Sequence, residues 1–193
     1  MRNRQERDWD RALGIQTTGR EDETGLRNMP YEPTPYPVLQ RLADSGFVGS
    51  GDILLDYGCG KGRAAIFLAA RTGCAAEGVD RSGKLIAVAE ANRAGCPCPE
   101  RVRFIHASAE GFRLADETAF FFFNPFSEAV LRAVLGRIAH LGPGRRLAFY
   151  YPSDDFLACL ATRPGMRMTG EIDCRDLFDG DEPRERIVIC ETE

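Results

Sequence analysis

DILLDYGCGKGRAAIFLAAR, residues 52–71, is the stretch from which the fold follows. Asp52–Tyr57 is a short apolar run that reads as a buried strand. Gly58-Cys59-Gly60-Lys61-Gly62 comes at once, and Arg63–Arg71 is made of helix-favouring residues. A strand that turns through glycines into a helix opens a βαβ unit of a parallel sheet. Glycines at alternate positions let the backbone turn tightly and approach a ligand with no Cβ in the way. The spacing is GxGxG. Arg63 stands where a dinucleotide loop wants Gly, and Gly62 stands where a phosphate-gripping loop wants Ser or Thr after Lys61.

Downstream, strands and helices alternate. A strand runs through Gly78-Val79-Asp80, and Ser82–Ala94 is a helix with Leu85, Ile86, Val88 and Ala89 on one face, stopped by Gly95. Arg101–Ala107 and Ala119–Phe123 are strands, the second fully apolar. Ser127–His140 is a helix with Val130, Leu131, Val134, Leu135 and Ile138 at three-to-four spacing. Arg146–Tyr151 is a strand, and Asp154–Thr162 a helix with Ser153 as N-cap. No helix separates the last two strands, about Met166–Cys174 and Arg186–Cys190, which predicts an antiparallel hairpin at one edge. The expected fold is α/β, a doubly wound, mostly parallel sheet.

Residues 1–50 differ. They hold the single Trp, Trp9, a polar stretch Gln16–Arg27, and the run Met29-Pro30-Tyr31-Glu32-Pro33-Thr34-Pro35-Tyr36-Pro37. Prolines at that density exclude a helix interior or a central strand. A helix is predicted from Tyr36 to Asp44, with Val38, Leu39 and Leu42 on one face. Residues 1–50 are expected to be a leader with this first helix, packed on a ligand-binding domain of residues 51–193.

The 193 residues are 44% apolar and 28% charged, enough for one domain with its own core and too apolar for a disordered chain. No apolar run approaches the roughly 18 residues of a membrane span, and residues 1–11 lack a secretory signal. A cytoplasmic protein without a membrane partner is expected. The seven cysteines are odd in number and scattered, so buried or loop thiols are expected. Only Cys96-Pro97-Cys98 forms a close pair, with no further ligands at zinc spacing, so no metal is expected. The net charge is −4, with nine acids against three Arg in residues 171–193. That leaves no basic stripe for a phosphate backbone and disfavours nucleic acid as a partner.

Asp80 ends the second strand, 20 residues after Gly60. A carboxylate there can accept both hydrogens of a ribose diol. Asp56, ahead of the glycines, would repel a pyrophosphate but suits a ligand that carries an ammonium. Together they predict a site for an adenosyl ligand bearing a cation. Singly, the glycines serve a tight turn and Asp80 serves as a cap.

Leu54-Leu55-Asp56-Tyr57-Gly58-Cys59-Gly60-Lys61-Gly62 resembles the first motif of class I S-adenosylmethionine-dependent methyltransferases, and Asp80 matches the family's acidic residue after the second strand. Residues 104–109, Phe-Ile-His-Ala-Ser-Ala, resemble the segment that edges the adenine, with Ser108 where many members have Asp. The resemblance spans roughly residues 51–193. It implies a seven-stranded sheet with a C-terminal hairpin and S-adenosylmethionine as cofactor. The residues it places around that cofactor are Asp56, Gly58, Gly60, Lys61, Gly62, Asp80, Arg81, Ser108, Ala109 and Asn124. The leader resembles that of an uncharacterised bacterial group with a similar GCGKG loop and FNPF strand end. It adds Tyr31 and Thr34 as candidate contacts under a closing lid, or as residues that merely pack the first helix.

The fourth strand ends Phe122-Phe123-Asn124-Pro125-Phe126-Ser127, where the family presents its methyl acceptor. Asn124-Pro125-Phe126 resembles the Asn-Pro-Pro-aromatic motif of amine and amide N-methyltransferases, in which the Asn carboxamide oxygen holds the target nitrogen. The alternative is that Asn124 or Ser127 starts the next helix as a cap, a role Ser127 alone can fill. Neither His106 nor His140 is placed as a general base, which favours N-methylation of a protein side chain or small amine. The alternatives are O- or C-methylation of a small molecule, methylation of a flipped adenine, and cofactor binding without catalysis.

Overall fold

The alternation of apolar runs and glycine-stopped helical segments produces thirteen regular elements in the computed structural model, which describes residues 2–19 and 31–193. Residues 20–30, including Met29, Pro30 and most of the polar stretch, lie outside the described residues. The strands are β1 (Ile53–Tyr57), β2 (Ala75–Asp80), β3 (Val102–His106), β4 (Ala119–Phe122), β5 (Arg146–Tyr150), β6 (Met166–Asp173) and β7 (Arg186–Thr192). The helices are α1 (Arg2–Leu13), α2 (Tyr36–Asp44), α3 (Arg63–Thr72), α4 (Gly83–Gly95), α5 (Glu128–Ala139) and α6 (Asp154–Ala161).

One seven-stranded sheet has the order β3-β2-β1-β4-β5-β7-β6. The first five strands in sheet order pair in parallel. β7 runs antiparallel between β5 and β6, so the expected C-terminal hairpin closes that edge. Helices cover both faces. Leu54 and Phe121 point into a core shared with α2, α3 and α4. Their neighbours Leu55, Tyr57, Phe120 and Phe122 point into the opposite core, with Leu131, Val134 and Leu135 of α5. That is the period-two alternation of a strand buried on both faces.

Strand order reverses beside β1, whose partners are β2 on one side and β4 on the other. A crevice therefore opens beyond the carboxyl ends of β1 and β4, where open α/β sheets bind ligands. The sequence reading placed the helices within a residue or two. Ser82 and Ser153 cap α4 and α6, accepting from Leu85 N–H and Phe156 N–H. Helix α1 had no sequence prediction. It packs over α3, with Trp9 stacked on Tyr36 at 5.7 Å and edge-on to Phe67 at 5.3 Å.

Candidate functional site

The glycine loop is folded back on β2. Gly58 N–H and Cys59 N–H both donate to the Val79 carbonyl, at 2.8 and 3.2 Å. Gly58 and Gly60 have φ of +73° and +53°, and a Cβ on either would lie 2.4 Å from Pro125 or the Tyr31 ring. Both conformation and space demand glycine there. Gly62 heads α3 against the Phe104 ring. Lys61 is buried, its ammonium 4.9 Å from the centre of the Tyr31 ring and its carbonyl accepting from Asn92 Nδ2 at 2.8 Å.

Asp80 lies beside this loop. Its Oδ2 accepts from Gly60 N–H at 2.9 Å and its Oδ1 from Ser82 N–H at 2.8 Å. Asp56 is 4% exposed. Burial, and then the charge of Asp80, push its carboxyl up to about 7, against a smaller opposing effect of a backbone hydrogen bond from Ala65. A buried carboxyl whose ionisation is opposed by burial and by a second carboxylate gains from a cationic ligand.

A strap from Tyr31 to Pro35 roofs the crevice. Tyr31, Thr34, Asp56, Gly58, Arg63 and Phe123 are among the residues lining a small cleft of about 40 Å³. The Tyr31 ring lies on Gly60 and its hydroxyl donates to the Thr17 carbonyl at 2.8 Å. Thr34 is buried, with its carbonyl accepting from Arg63 at 3.1 Å.

Arg63, noticed in the sequence only as the residue that spoils a dinucleotide motif, is the post on which this strap is fixed. Its side chain is 3% exposed and pairs with Glu6 at 11% exposure. Nε donates to Thr17 Oγ1 at 2.7 Å, and the guanidinium stacks on the Tyr36 ring at 4.2 Å. Asp10 lies 3.7 Å from it and accepts from Thr17, Thr18 and Tyr36. Burial raises the Asp10 carboxyl pKa, but hydrogen bonds from Thr17, Tyr36 and Thr18 outweigh it and hold the group below its usual range.

At the end of β4, Asn124 adopts φ +40° and Tyr151, after β5, φ +53°. Asn124 Nδ2 donates to the Tyr151 carbonyl at 2.7 Å, while Asn124 Oδ1 is buried without a hydrogen-bond partner among the described residues. Asn124 therefore caps no helix. Ser127 occupies the N-cap position of α5, though its hydroxyl makes no capping bond. Pro125 packs on Gly58, and the Phe126 ring is turned edge-on into Tyr57 and Phe122 at 5.9 and 6.2 Å, within the core.

The remaining candidates lie around the β2 and β3 ends. The Arg81 side chain is exposed, and its carbonyl lies 3.0 Å from His106 Nε2. Ser108 is exposed and its Oγ accepts from Gly111 N–H at 3.1 Å. Arg137 of α5 donates to the carbonyls of Ala109, Glu110 and Phe112, fixing this turn from behind. All seven cysteines are buried free thiols. Burial, then the charges of Asp56 and Asp80, push the Cys59 thiol far up, so it stays protonated beside the crevice.

Residues 54–141 match the sequence profile of a family described as a methyltransferase domain. No curated protein matches the chain. Solved structures do. An RNA methyltransferase from Salinibacter ruber in complex with S-adenosyl-L-homocysteine is 19% identical at TM-score 0.63, over 82% of this chain and 92% of that one. Magnesium protoporphyrin IX methyltransferase from Synechocystis with bound S-adenosylmethionine is 17% identical at 0.58, over 81% and 76%. Geranyl diphosphate C-methyltransferase from Streptomyces coelicolor with S-adenosyl-L-homocysteine is 16% identical at 0.62, over 82% and 77%.

Proposed function

We propose that this chain, whose residues 54–141 match a methyltransferase domain, is a class I S-adenosylmethionine-dependent methyltransferase that transfers the methyl group to nitrogen, on a protein side chain or small amine. The observation that carries this is the Asn124 carboxamide. Its NH2 end is committed to the Tyr151 carbonyl, which leaves a buried oxygen acceptor at the end of β4. A buried acceptor with no partner costs on the order of 1–3 kcal/mol, which a substrate N–H repays by donating to it. The acceptors named for the similar structures range from RNA to geranyl diphosphate, so the fold is shared across acceptor classes. The reading rests on this crevice's own chemistry.

The cofactor supplies a methyl on a sulfonium, a leaving group that needs no further activation. What remains for the protein is binding, aim and exclusion of water. Asp80 holds the ribose hydroxyls, Asp56 the ammonium, and Ser108 and Ala109 edge the adenine. The strap of Tyr31 and Thr34 roofs the methionine end. Asn124 Oδ1 takes an amine N–H and so turns the nitrogen lone pair toward the methyl.

Asp80→Ala is expected to weaken S-adenosylmethionine binding more than about tenfold in calorimetry, the loss of a charge-assisted bond pair. Unchanged affinity would overturn the ribose assignment. Asn124→Ala is expected to keep cofactor affinity within about twofold while lowering kcat on an amine acceptor at least a hundredfold, as for loss of a transition-state contact. Full turnover by Asn124→Ala, or methylation of phenols but no amines by the wild type, sinks the nitrogen reading.

A further inference from the structure

We infer that Tyr151 is the positioning residue for Asn124, and that Arg184 holds Tyr151 in the conformation that does this. The inference rests on the reading of Asn124 as the acceptor of a substrate N–H.

A bulky residue at φ +53° is in the left-handed region, which costs a non-glycine on the order of 1–3 kcal/mol. The surroundings of Tyr151 hold it there from three sides. Its N–H donates to the Arg186 carbonyl at 3.0 Å. Its hydroxyl accepts from Arg184 Nη2 at 2.8 Å, and the Arg184 guanidinium lies 4.4 Å from the centre of its ring. Its ring edge meets Phe123, the residue before Asn124, at 6.5 Å.

The strained turn brings the Tyr151 carbonyl within 2.7 Å of Asn124 Nδ2. A carbonyl only accepts, so it bonds the NH2 end of the carboxamide and never the oxygen. The contact therefore decides which end of Asn124 is left for a ligand. A flipped amide would present donors to an amine that itself donates, a mismatched pair. With the carbonyl fixed, Oδ1 is turned away from Tyr151 and is the end left without a partner among the described residues. The strained residue and its distant arginine thus form one device with Asn124. Arg184 belongs to the stretch preceding β7 and is itself exposed, outside the residues that enclose the cleft.

The test needs no identified substrate. The chain has four asparagines, Asn3, Asn28, Asn92 and Asn124, so selective 15N-asparagine labelling gives few side-chain amide signals. Asn92, bonded to the Lys61 carbonyl at 2.8 Å, serves as internal reference. In Arg184→Ala the Asn124 carboxamide is expected to move and to exchange its protons about tenfold faster, while Asn92 stays as in the wild type. Tyr151→Phe, which keeps the ring for the guanidinium to stack on, should change Asn124 exchange by no more than about threefold. An Asn124 signal that stays put in Arg184→Ala, or that moves only together with Asn92, overturns the inference. Failure of the nitrogen reading is seen elsewhere, in the turnover of Asn124→Ala.

Discussion

Arg63→Ala is expected to cost about 3–5 kcal/mol of folding stability, the range for breaking a buried ion pair from one side. At 3% side-chain exposure the guanidinium faces Glu6 at 11% and Asp10 at 9%, so its removal leaves two acids with little water to solvate them. The same change removes the donors to Thr17 Oγ1 and to the Thr34 carbonyl, and with them the fixing of the strap. At roughly 2–4 °C per kcal/mol for a chain of this size, the midpoint of thermal unfolding should fall by about 6–20 °C. Arg63→Lys should recover little, because one ammonium cannot reproduce a planar fork that bonds several acceptors and stacks on Tyr36. A loss below about 1 kcal/mol would mean that water solvates Glu6 and Asp10 freely.

Asp56→Asn should move stability and cofactor affinity in opposite directions. The Asp56 carboxyl is pushed up to about 7 by burial and then by Asp80, from an ordinary value of 3.8. Between those values the unfolded chain holds fewer protons on this group than the folded one, so its contribution to stability falls as pH rises and levels off above 7. Asparagine carries no such penalty. The variant should match the wild type near pH 4 and exceed it at pH 8 by on the order of 3–4 kcal/mol. Wild-type affinity for cationic S-adenosylmethionine should climb with pH through 7 as Asp56 ionises, and the variant's curve should be flat there and weaker above. Chemical denaturation at the two pH values and calorimetry across pH 6–8 measure both effects. A variant that is no more stable at pH 8 would mean that Asp56 is ionised in the free protein at no cost.

What the sequence made legible was local. β1, the glycine turn and α3 are continuous in the chain, and Asp80 stands at a spacing that one crossover sets. The sequence predicts a strand over Arg146–Tyr151, one residue longer than β5, since no local signal marks the positive φ of Tyr151 that stops β5 at Tyr150. Helix α1 escaped for a different reason. Its buried positions are Glu6, Asp10 and Leu13, at helical spacing, with Trp9 half-buried beside them. Two of the three are acids, so a search for apolar periodicity sees a polar segment. Acids four residues apart on a stripe completed by Trp and Leu were the available clue. The roles of Arg63 and of the Asn124–Tyr151 bond had none. Glu6 is 57 residues from Arg63, and Tyr151 is 27 from Asn124.

The backbones of Gly14 and Gly95 cross so closely that a Cβ on Gly14 would lie 2.4 Å from the Gly95 oxygen, and one on Gly95 2.6 Å from the Gly14 oxygen. This crossing sets an order of events during synthesis. Helix α1 and Gly14 leave the ribosome before α4, yet the crossing can close only after Gly95 has been made. At translation rates of about 5–20 residues per second, some eighty residues of delay amount to roughly 4–16 s. Through that interval Trp9 and the two acids of α1 can already meet Tyr36, Phe67 and Arg63, while the turn at Gly14 has no partner. Helix α1 is thus seated in two steps, on α3 first and against the end of α4 later, and the Gly14–Gly95 crossing locks the second.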